Sequence, residues 1–269
     1  MRIKIHHETN YNYDVQPGHL VQRLHLTPAD FSTQKAISWH ISAPGIERGL
    51  SYVDGFGNRV HLVTAEVLEK NYTIIAEGEI ETADAAGVVR GLASNVPIQV
   101  YFRQTDLTRP DVTMLKAMET LPASGAEIER AHALMQFVHG KIAYEVGTSV
   151  AETTAAEAFA HRSGVCQDHA HVLVGLARAM KIPARYVTGY LVTGVGASSA
   201  AAHAWAELLV SDLGWVGFDA ANGQCPTEHY VRLAAGLDAG AVAPVKGTRR
   251  GAVGTEHLTV AVRAEIAQQ

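Results

Sequence analysis

The chain contains little cysteine, no long apolar run and no excess of positive charge. Its 269 residues include 22 Lys and Arg against 27 Asp and Glu, which gives a formal net charge of −5. Nucleic acids and anionic membranes attract clustered Lys and Arg, and the densest basic run here is the pair Arg249-Arg250. We therefore expect neither a nucleic acid nor a membrane as a partner.

Long apolar segments are also missing. A membrane-spanning helix needs roughly 18 consecutive apolar residues, and no window of this chain approaches that length. The longest apolar run, residues 172–179, has the length of a buried helix. The N-terminus is charged and alternating, without the continuous apolar stretch of a secretory signal. These features predict a cytoplasmic protein.

Cysteine and histidine are the remaining candidates for special chemistry. Cys166 and Cys225 are too few for a disulfide framework, and neither belongs to a paired metal-ligand motif. Among the 14 histidines, His169 and His171 lie two apart on a predicted helix and do not share a face. His6-His7 is an adjacent pair on a predicted strand and points to opposite sides. We therefore expect no metal ion and no cofactor.

Residues 1–105 have the patterns of a β-rich region. Alternation with a period of two in residues 3–6, 24–26 and 37–41 indicates strands with one buried face. The glycine-containing turn at residues 54–58 predicts a hairpin of residues 50–53 with 60–63, and residues 72–76 and 96–102 predict further short strands. Several strands at this spacing favour a sandwich-like domain or a related layered sheet.

After residue 105 the pattern changes to helices followed by strands. Helical periodicity occurs in residues 111–118, 126–138 and 170–180, and residues 154–157 have the form of a capping box. Strands are expected at residues 186–191, 203–210, 215–219 and 258–262, with a loop of small residues at 194–202. The sequence thus predicts an α+β fold with a second domain, residues 106–269, in which helices pack on an antiparallel sheet.

One cysteine has an unusual position in this second region. Cys166 lies where the buried helix starts, and the first turn of a helix carries unpaired N–H groups and partial positive charge. This position favours the thiolate that a nucleophilic cysteine needs. A small, inert, buried residue is the ordinary alternative for a free cysteine. Asp168 either caps and orients the same helix start or is a solvated carboxylate.

A base and its orienting group are available on two of the predicted strands. A three-residue turn at 211–213 would pair Val210 with Gly214 and place His203 diagonal to Asp219 on the same face. A two-residue turn would put them on opposite faces. In the first register His203 accepts the proton of Cys166, and Asp219 holds the imidazole. The backbone N–H of Cys166 is the first candidate donor to an oxyanion, and Tyr144 is a candidate for the second.

The residues around these three side chains resemble the bacterial transglutaminase-like superfamily. The resemblance rests on Ser163-Gly164-Val165-Cys166-Gln167-Asp168-His169-Ala170-His171, Ile182-Pro183-Ala184-Arg185-Tyr186-Val187-Thr188-Gly189-Tyr190, Ala202-His203-Ala204-Trp205-Ala206-Glu207 and Gly214-Trp215-Val216-Gly217-Phe218-Asp219. It covers about residues 110–235. The first hundred residues also resemble the β-rich domain that accompanies this core in bacteria, through His7-Glu8-Thr9, the tyrosines that follow and the turn at 54–58.

This resemblance implies a papain-like core in which Cys166, His203 and Asp219 carry catalysis through a thioester. One departure is that Ala220 follows Asp219 where a proline is frequent, which we expect to alter a turn and leave the carboxylate in place. The expected reaction is hydrolysis of an amide bond in a peptide or protein substrate. Acyl transfer to an amine shares the same intermediate, and a non-catalytic binding module is the alternative from another class.

Overall fold

The computed structural model describes residues 1–67, 69–122, 124–193, 200–251 and 254–266. The chain combines α-helices with β-sheets, as the sequence predicts. The strands of the first hundred residues are β1 (Arg2–Tyr13), β2 (Gly18–Leu24), β3 (Gln34–Ser42), β4 (Leu50–Val53), β5 (Arg59–Val67), β6 (Asn71–Thr82) and β7 (Val88–Val89).

The rest of the chain supplies four described α-helices and eight described strands. In chain order they are α1 (Val112–Met118), α2 (Glu127–Lys141), β8 (Ala143–Tyr144), α3 (Ala155–His161), β9 (Ser163–Gly164), α4 (Cys166–Ala179), β10 (Ala184–Val192), β11 (Ala200–Val210), β12 (Gly214–Phe218), β13 (Tyr230–Gly236), β14 (Val245–Arg250) and β15 (Glu256–Ile266). No described helix is long and apolar enough to cross a membrane.

Two four-stranded sheets are built mainly from the first region. Their strand orders are β15-β1-β6-β3 and β14-β2-β5-β4, all antiparallel. Apolar side chains of both sheets share one buried cluster that includes Tyr11, Leu24, Val63 and Ile74. This cluster follows from the alternation seen in the sequence, because every second side chain faces inward. The sandwich-like packing of the two sheets stays a prediction.

The last two strands belong to these sheets as well. β15 pairs with β1 along its whole length, from Ile3–Ile266 to Tyr13–Glu256, and β14 pairs with β2. In the other direction, the short strand β7 pairs with β12. Strand pairing therefore crosses residue 105 in both directions, and the domain boundary drawn there stays a prediction.

The second region is organised around a five-stranded antiparallel sheet with the order β13-β10-β11-β12-β7. Helix α4 packs on β10 and β11, and its residues from Asp168 to Arg178 are all buried. The helix ends before Pro183, as the sequence predicts, with Lys181 in a left-handed conformation at φ 61°. Helices α2 and α3 cover the remaining sides of α4. The sheet and the helices thus hold α4, which starts at Cys166, against β10 and β11.

Residues 96–102 and 200–202 differ from the predicted secondary structure. Residues 96–102 were expected to form a strand, but Ile98–Phe102 is a 3-10 helix, so that prediction was wrong. Pro97 sets φ at −57° before it, and buried Tyr101 packs on Phe56 and Trp215 instead of alternating with its neighbours. Of the loop expected at 194–202, residues 194–199 lie outside the described residues and β11 already begins at Ala200.

Candidate active site

Helix α4 begins at Cys166, with Val165 as its N-cap. The carbonyl of Val165 accepts hydrogen bonds from the N–H groups of Asp168 (3.0 Å) and His169 (3.2 Å). Asp168 Oδ2 in turn accepts from Val165 N (2.7 Å) and Ser149 Oγ (2.6 Å), and the Asp168 side chain is buried. Of the two roles considered for Asp168, the structure therefore supports that of orienting the helix start. Cys166 itself is half-buried in the first turn.

The glycine two residues before Cys166 has a steric role. A Cβ at Gly164 would lie 2.6–2.8 Å from the carboxylate atoms and Cβ of Asp168, closer than real Cβ atoms approach. Gly164 also pairs with Tyr144 in the short parallel ladder of β8 and β9. The segment before the cysteine is thus packed directly onto the carboxylate that holds the helix start.

His203 and Asp219 are brought together by the hairpin of β11 and β12. Val210 pairs with Gly214 and Ala206 with Phe218, which is the register of a three-residue turn. Gly214 closes this turn in a left-handed conformation at φ 83°. The predicted register is therefore confirmed, and His203 Nε2 lies 2.7 Å from Asp219 Oδ2.

The Asp219 carboxylate is fully buried and surrounded by donors. Oδ2 accepts from Tyr230 Oη and Asn222 Nδ2, both at 2.7 Å, and Oδ1 accepts from the backbone N–H groups of Ala221 (3.0 Å) and Asn222 (3.3 Å). Burial alone would raise the pKa of Asp219, but the hydrogen bond and positive charge of His203, with the bonds from Asn222 and Tyr230, lower it. The carboxylate is held ionised and aimed at the imidazole.

His203 connects this carboxylate to the thiol. Burial alone would lower its pKa, but hydrogen bonds to Asp219 and Cys166, together with their negative charges, raise the pKa of His203 to about 9. Since Nε2 faces Asp219, Nδ1 remains for the Cys166 sulfur. Trp205 lies nearly parallel to the ring at 6.3 Å between centroids, and Tyr230 meets it edge-on at 5.9 Å. The three residues singled out in the sequence thus form one connected group.

Three residues of this group were missed by sequence reasoning. Asn222 is the last residue of the Asp219-Ala220-Ala221-Asn222 turn, and its type at a turn was an available signal. Tyr230 comes from β13, and Gln224 Nε2 donates to its hydroxyl over 3.0 Å. Nothing local in the sequence connects Tyr230 or Gln224 to the carboxylate.

Tyr144 and Cys225 were the other residues considered in the sequence. Tyr144 is half-exposed, and burial followed by the charges of Cys166 and Asp219 raises its pKa. Its role as an oxyanion donor stays a prediction. Cys225 is half-buried, and burial followed by the charge of Asp84 raises the pKa of its thiol to about 11. The two cysteines therefore have different surroundings. Among the described residues, no group of three or more His, Cys, Asp or Glu side chains could hold a metal ion.

A cleft of about 450 Å³ opens beside the thiol and the imidazole. Its walls come from the start of α4, from β10 and β11 and from residues 239–244. This volume lies within the range of about 300–1,000 Å³ found for ligand sites. The arrangement combines a thiol at a helix start, a buried imidazole–carboxylate pair and a cleft for a substrate.

Comparison with known proteins gives a consistent result. Residues 116–220 match the model of the transglutaminase-like superfamily, and residues 3–81 match the bacterial transglutaminase-like N-terminal region. An uncharacterized protein of Mycobacterium leprae is 25% identical over 269 residues, covering 95% of each chain. An uncharacterized protein of Mycobacterium tuberculosis is 25% identical over 281 residues, covering 91% of this chain and 87% of that protein.

A solved structure is similar over nearly the whole chain. It is described as a "Putative Cysteine Protease" from Cytophaga hutchinsonii and is 22% identical, with a TM-score of 0.74 over 97% of this chain and 90% of that one. At this identity the likeness shows a common fold. The two family matches cover about two thirds of the residues, including Cys166, His203 and Asp219. The chain therefore belongs to the transglutaminase-like superfamily and carries the N-terminal region found with it in bacteria.

Proposed function

We propose that this protein is a thiol enzyme that hydrolyses amide bonds in a peptide or protein substrate. The observation that carries the proposal is the connected group in which the imidazole of His203, 2.7 Å from the buried carboxylate of Asp219, lines the same cleft as the thiol of Cys166. This group opens onto the cleft. An inert buried cysteine has no need of an imidazole held by an ionised carboxylate, so the arrangement supports nucleophilic catalysis over a structural role.

The proposed reaction proceeds in two steps. His203 takes the thiol proton, and the Cys166 sulfur attacks the substrate carbonyl to form a tetrahedral intermediate. When the C–N bond breaks, His203 delivers its proton to the departing amine or ammonia, and a thioester remains on Cys166. His203 then removes a proton from a water molecule that attacks the thioester. Release of the carboxylic acid returns the proton to the Cys166–His203 pair.

The oxyanion of the intermediate needs donors near Cys166. The backbone N–H of Cys166 lies in the first turn of α4, where N–H groups have no intrahelical acceptor, and it serves as the first donor. Tyr144 is our candidate for the second donor, because the charge of Cys166 is, after burial, a cause of the raised pKa of its phenol. Both donors would act only after the carbonyl oxygen has become negative.

The first experiment measures the reactivity of Cys166. Mass spectrometry after timed incubation with iodoacetamide at neutral pH compares Cys166 with Cys225, an internal control whose pKa is about 11. We expect Cys166 to be labelled much faster, and Cys166→Ala to abolish turnover of amide substrates. Equal labelling of the two thiols, with turnover unchanged in Cys166→Ala, would favour the non-catalytic binding module.

The second experiment separates hydrolysis from acyl transfer. A glutamine-containing peptide is incubated with the protein with and without an added primary amine, and the products are identified by mass. Hydrolysis predicts a gain of carboxylate whether or not amine is present. Incorporation of the amine in preference to water would instead assign the acyl-transfer alternative, because the thioester is common to both reactions.

A further inference from the structure

The cleft beside Cys166 is apolar on most of its surface. Its apolar lining includes six residues from three segments of the chain: Val165, Ala204, Ala239, Val242, Ala243 and Pro244. All six are small or medium in size, so the cleft keeps its volume of about 450 Å³ open next to the sulfur. The group that enters this space must replace its water with contacts to aliphatic side chains.

Charge is scarce on these walls. Among the described residues that line the cleft there is no Lys, Arg or Asp, and the one acidic side chain, Glu152, is exposed. The neutral polar groups are Gln167, Thr188 and Tyr186, and burial, with smaller contributions from Cys166 and Asp168, raises the pKa of Tyr186 so that its phenol stays neutral. Apart from Glu152 at the exposed end and His203 at the reacting sulfur, the described lining offers no opposite charge to a bound charged side chain, which would lose its hydration there.

The wall formed by residues 239–244 is held in place from behind. Arg23 Nη2 donates to the carbonyl of Ala241 (3.1 Å) and Lys246 Nζ to that of Gly240 (2.9 Å). The two cations line a neighbouring pocket and not the cleft at Cys166. His25 also contacts this segment, because its backbone N–H donates to the carbonyl of Pro244 (2.9 Å). The apolar wall is thus preformed, and the nearby cations are used to support it.

From this lining we propose that the enzyme selects an acyl donor with an apolar, uncharged side chain next to the scissile amide. Glu152 at the exposed end of the cleft makes anionic donors poorer than cationic ones. The inference rests on the proposed function, since it concerns the acyl group that Cys166 receives. It adds a substrate class that the connected group of Cys166, His203 and Asp219 does not define.

The test uses chloromethyl ketones of N-acetylated leucine, lysine and glutamate, which alkylate a thiol with loss of chloride. Mass spectrometry gives the labelling rate of Cys166 for each reagent, divided by the rate of the same reagent with glutathione. We expect the normalised labelling rate of the leucine reagent to exceed that of the lysine reagent by at least about tenfold. The glutamate reagent should be the slowest of the three. Glu152→Gln should bring the normalised labelling rates of the lysine and glutamate reagents closer together.

A matched pair of variants tests the wall itself. Ala243→Lys places a cation in the cleft and should reverse the order of the lysine and glutamate reagents, whereas Ala243→Leu adds similar bulk and should keep that order. Equal normalised rates for the three reagents, with fast labelling by iodoacetamide, would overturn the substrate class and leave the thiol enzyme intact. Labelling of Cys166 by iodoacetamide no faster than that of Cys225 would overturn both.

Discussion

Tyr230 donates its phenolic hydrogen to Oδ2 of Asp219 over 2.7 Å, the same oxygen that contacts His203. Burial and then the charge of Asp219 raise the pKa of Tyr230, so its hydroxyl stays protonated at neutral pH. The carboxylate is therefore held by a donor from β13 as well as by donors from the turn that follows β12. This makes Tyr230 a positioning residue for the imidazole.

Removal of the Tyr230 hydroxyl is the first prediction. Tyr230→Phe should lower kcat by about tenfold or more with a smaller change in KM, because the carboxylate loses one donor and the imidazole its fixed orientation. Loss of a hydrogen bond to a charged group should also reduce the free energy of unfolding by about 1.5–3 kcal/mol. Steady-state kinetics over a pH series and urea unfolding measure the two effects.

Tyr190→Phe is the matched control for this change. Tyr190 is a buried tyrosine of β10 whose hydroxyl bonds His7 Nδ1 over 2.8 Å, away from the cleft. It should lose stability while keeping kcat and its pH profile. If both variants have the same kinetic profile, Tyr230 has only a structural role.

The second prediction concerns the titration of His203. Its pKa of about 9 in the folded protein lies above the ordinary value of 6.5, so its stabilising effect is fully present below about pH 6.5 and is lost as the pH rises through about 9. The effect is on the order of 3 kcal/mol. Urea unfolding between pH 6 and 10 should show wild type losing its stability advantage over His203→Gln across this range.

Heteronuclear NMR of the histidine side chains provides a direct measurement. The His203 signals should titrate near pH 9 in the wild type and at lower pH in Cys166→Ala, because that variant removes one hydrogen-bond partner and its negative charge. An unchanged midpoint in Cys166→Ala would mean that the thiol and the imidazole do not interact.

The third prediction tests the packing before Cys166. Gly164→Ala should destabilise the protein by about 1–3 kcal/mol and slow iodoacetamide labelling of Cys166, because the new Cβ would displace the Asp168 carboxylate from the helix start. Gly140→Ala is the control, since nothing lies within 4 Å of a Cβ in that position of α2. It should be neutral or stabilising by about 0.5–1 kcal/mol. Equal effects of both changes would contradict the steric argument.

The fourth prediction concerns a buried ion cluster behind the active site. Glu207 lies between Arg185 (2.5 Å) and Arg232 (2.8 Å), and all three side chains are buried. Burial alone would raise the pKa of Glu207, but the two arginines lower it, so its contribution is present at neutral pH and is lost as the pH falls below its ordinary range. Glu207→Ala should cost about 3–5 kcal/mol because it leaves two buried cations unpaired.

An exposed ion pair serves as the control for Glu207. Glu47 lies 3.2 Å from Arg48, and both side chains are mostly exposed. Glu47→Ala should change the free energy of unfolding by no more than about 0.5 kcal/mol in urea titrations at neutral pH. A loss at Glu207 as small as that at Glu47 would mean that the cluster contributes little to stability.

Local features of the site were accessible from the sequence. The helix that starts at Cys166, the capping box at Thr154 and the turn between Val210 and Gly214 depend on residues within a few positions of one another. The register of β11 and β12 also follows from the turn length, since one residue more or less reverses every side chain. The contact of His203 with Asp219 could therefore be predicted. The 3-10 helix at residues 98–102 could not, because packing of Tyr101 decides it.

By itself the sequence determined the alternating strands, the buried helix, the position of Cys166 at its start and the hairpin that joins His203 to Asp219. Only the tertiary structure decided that the Tyr230 hydroxyl donates to Asp219 and that residues 239–244 form an apolar wall of the cleft at Cys166. It also decided that β15 returns to pair with β1 at the other end of the chain. These contacts depend on strand order and on side chains far apart in sequence, and short-range periodicity carries no information about either.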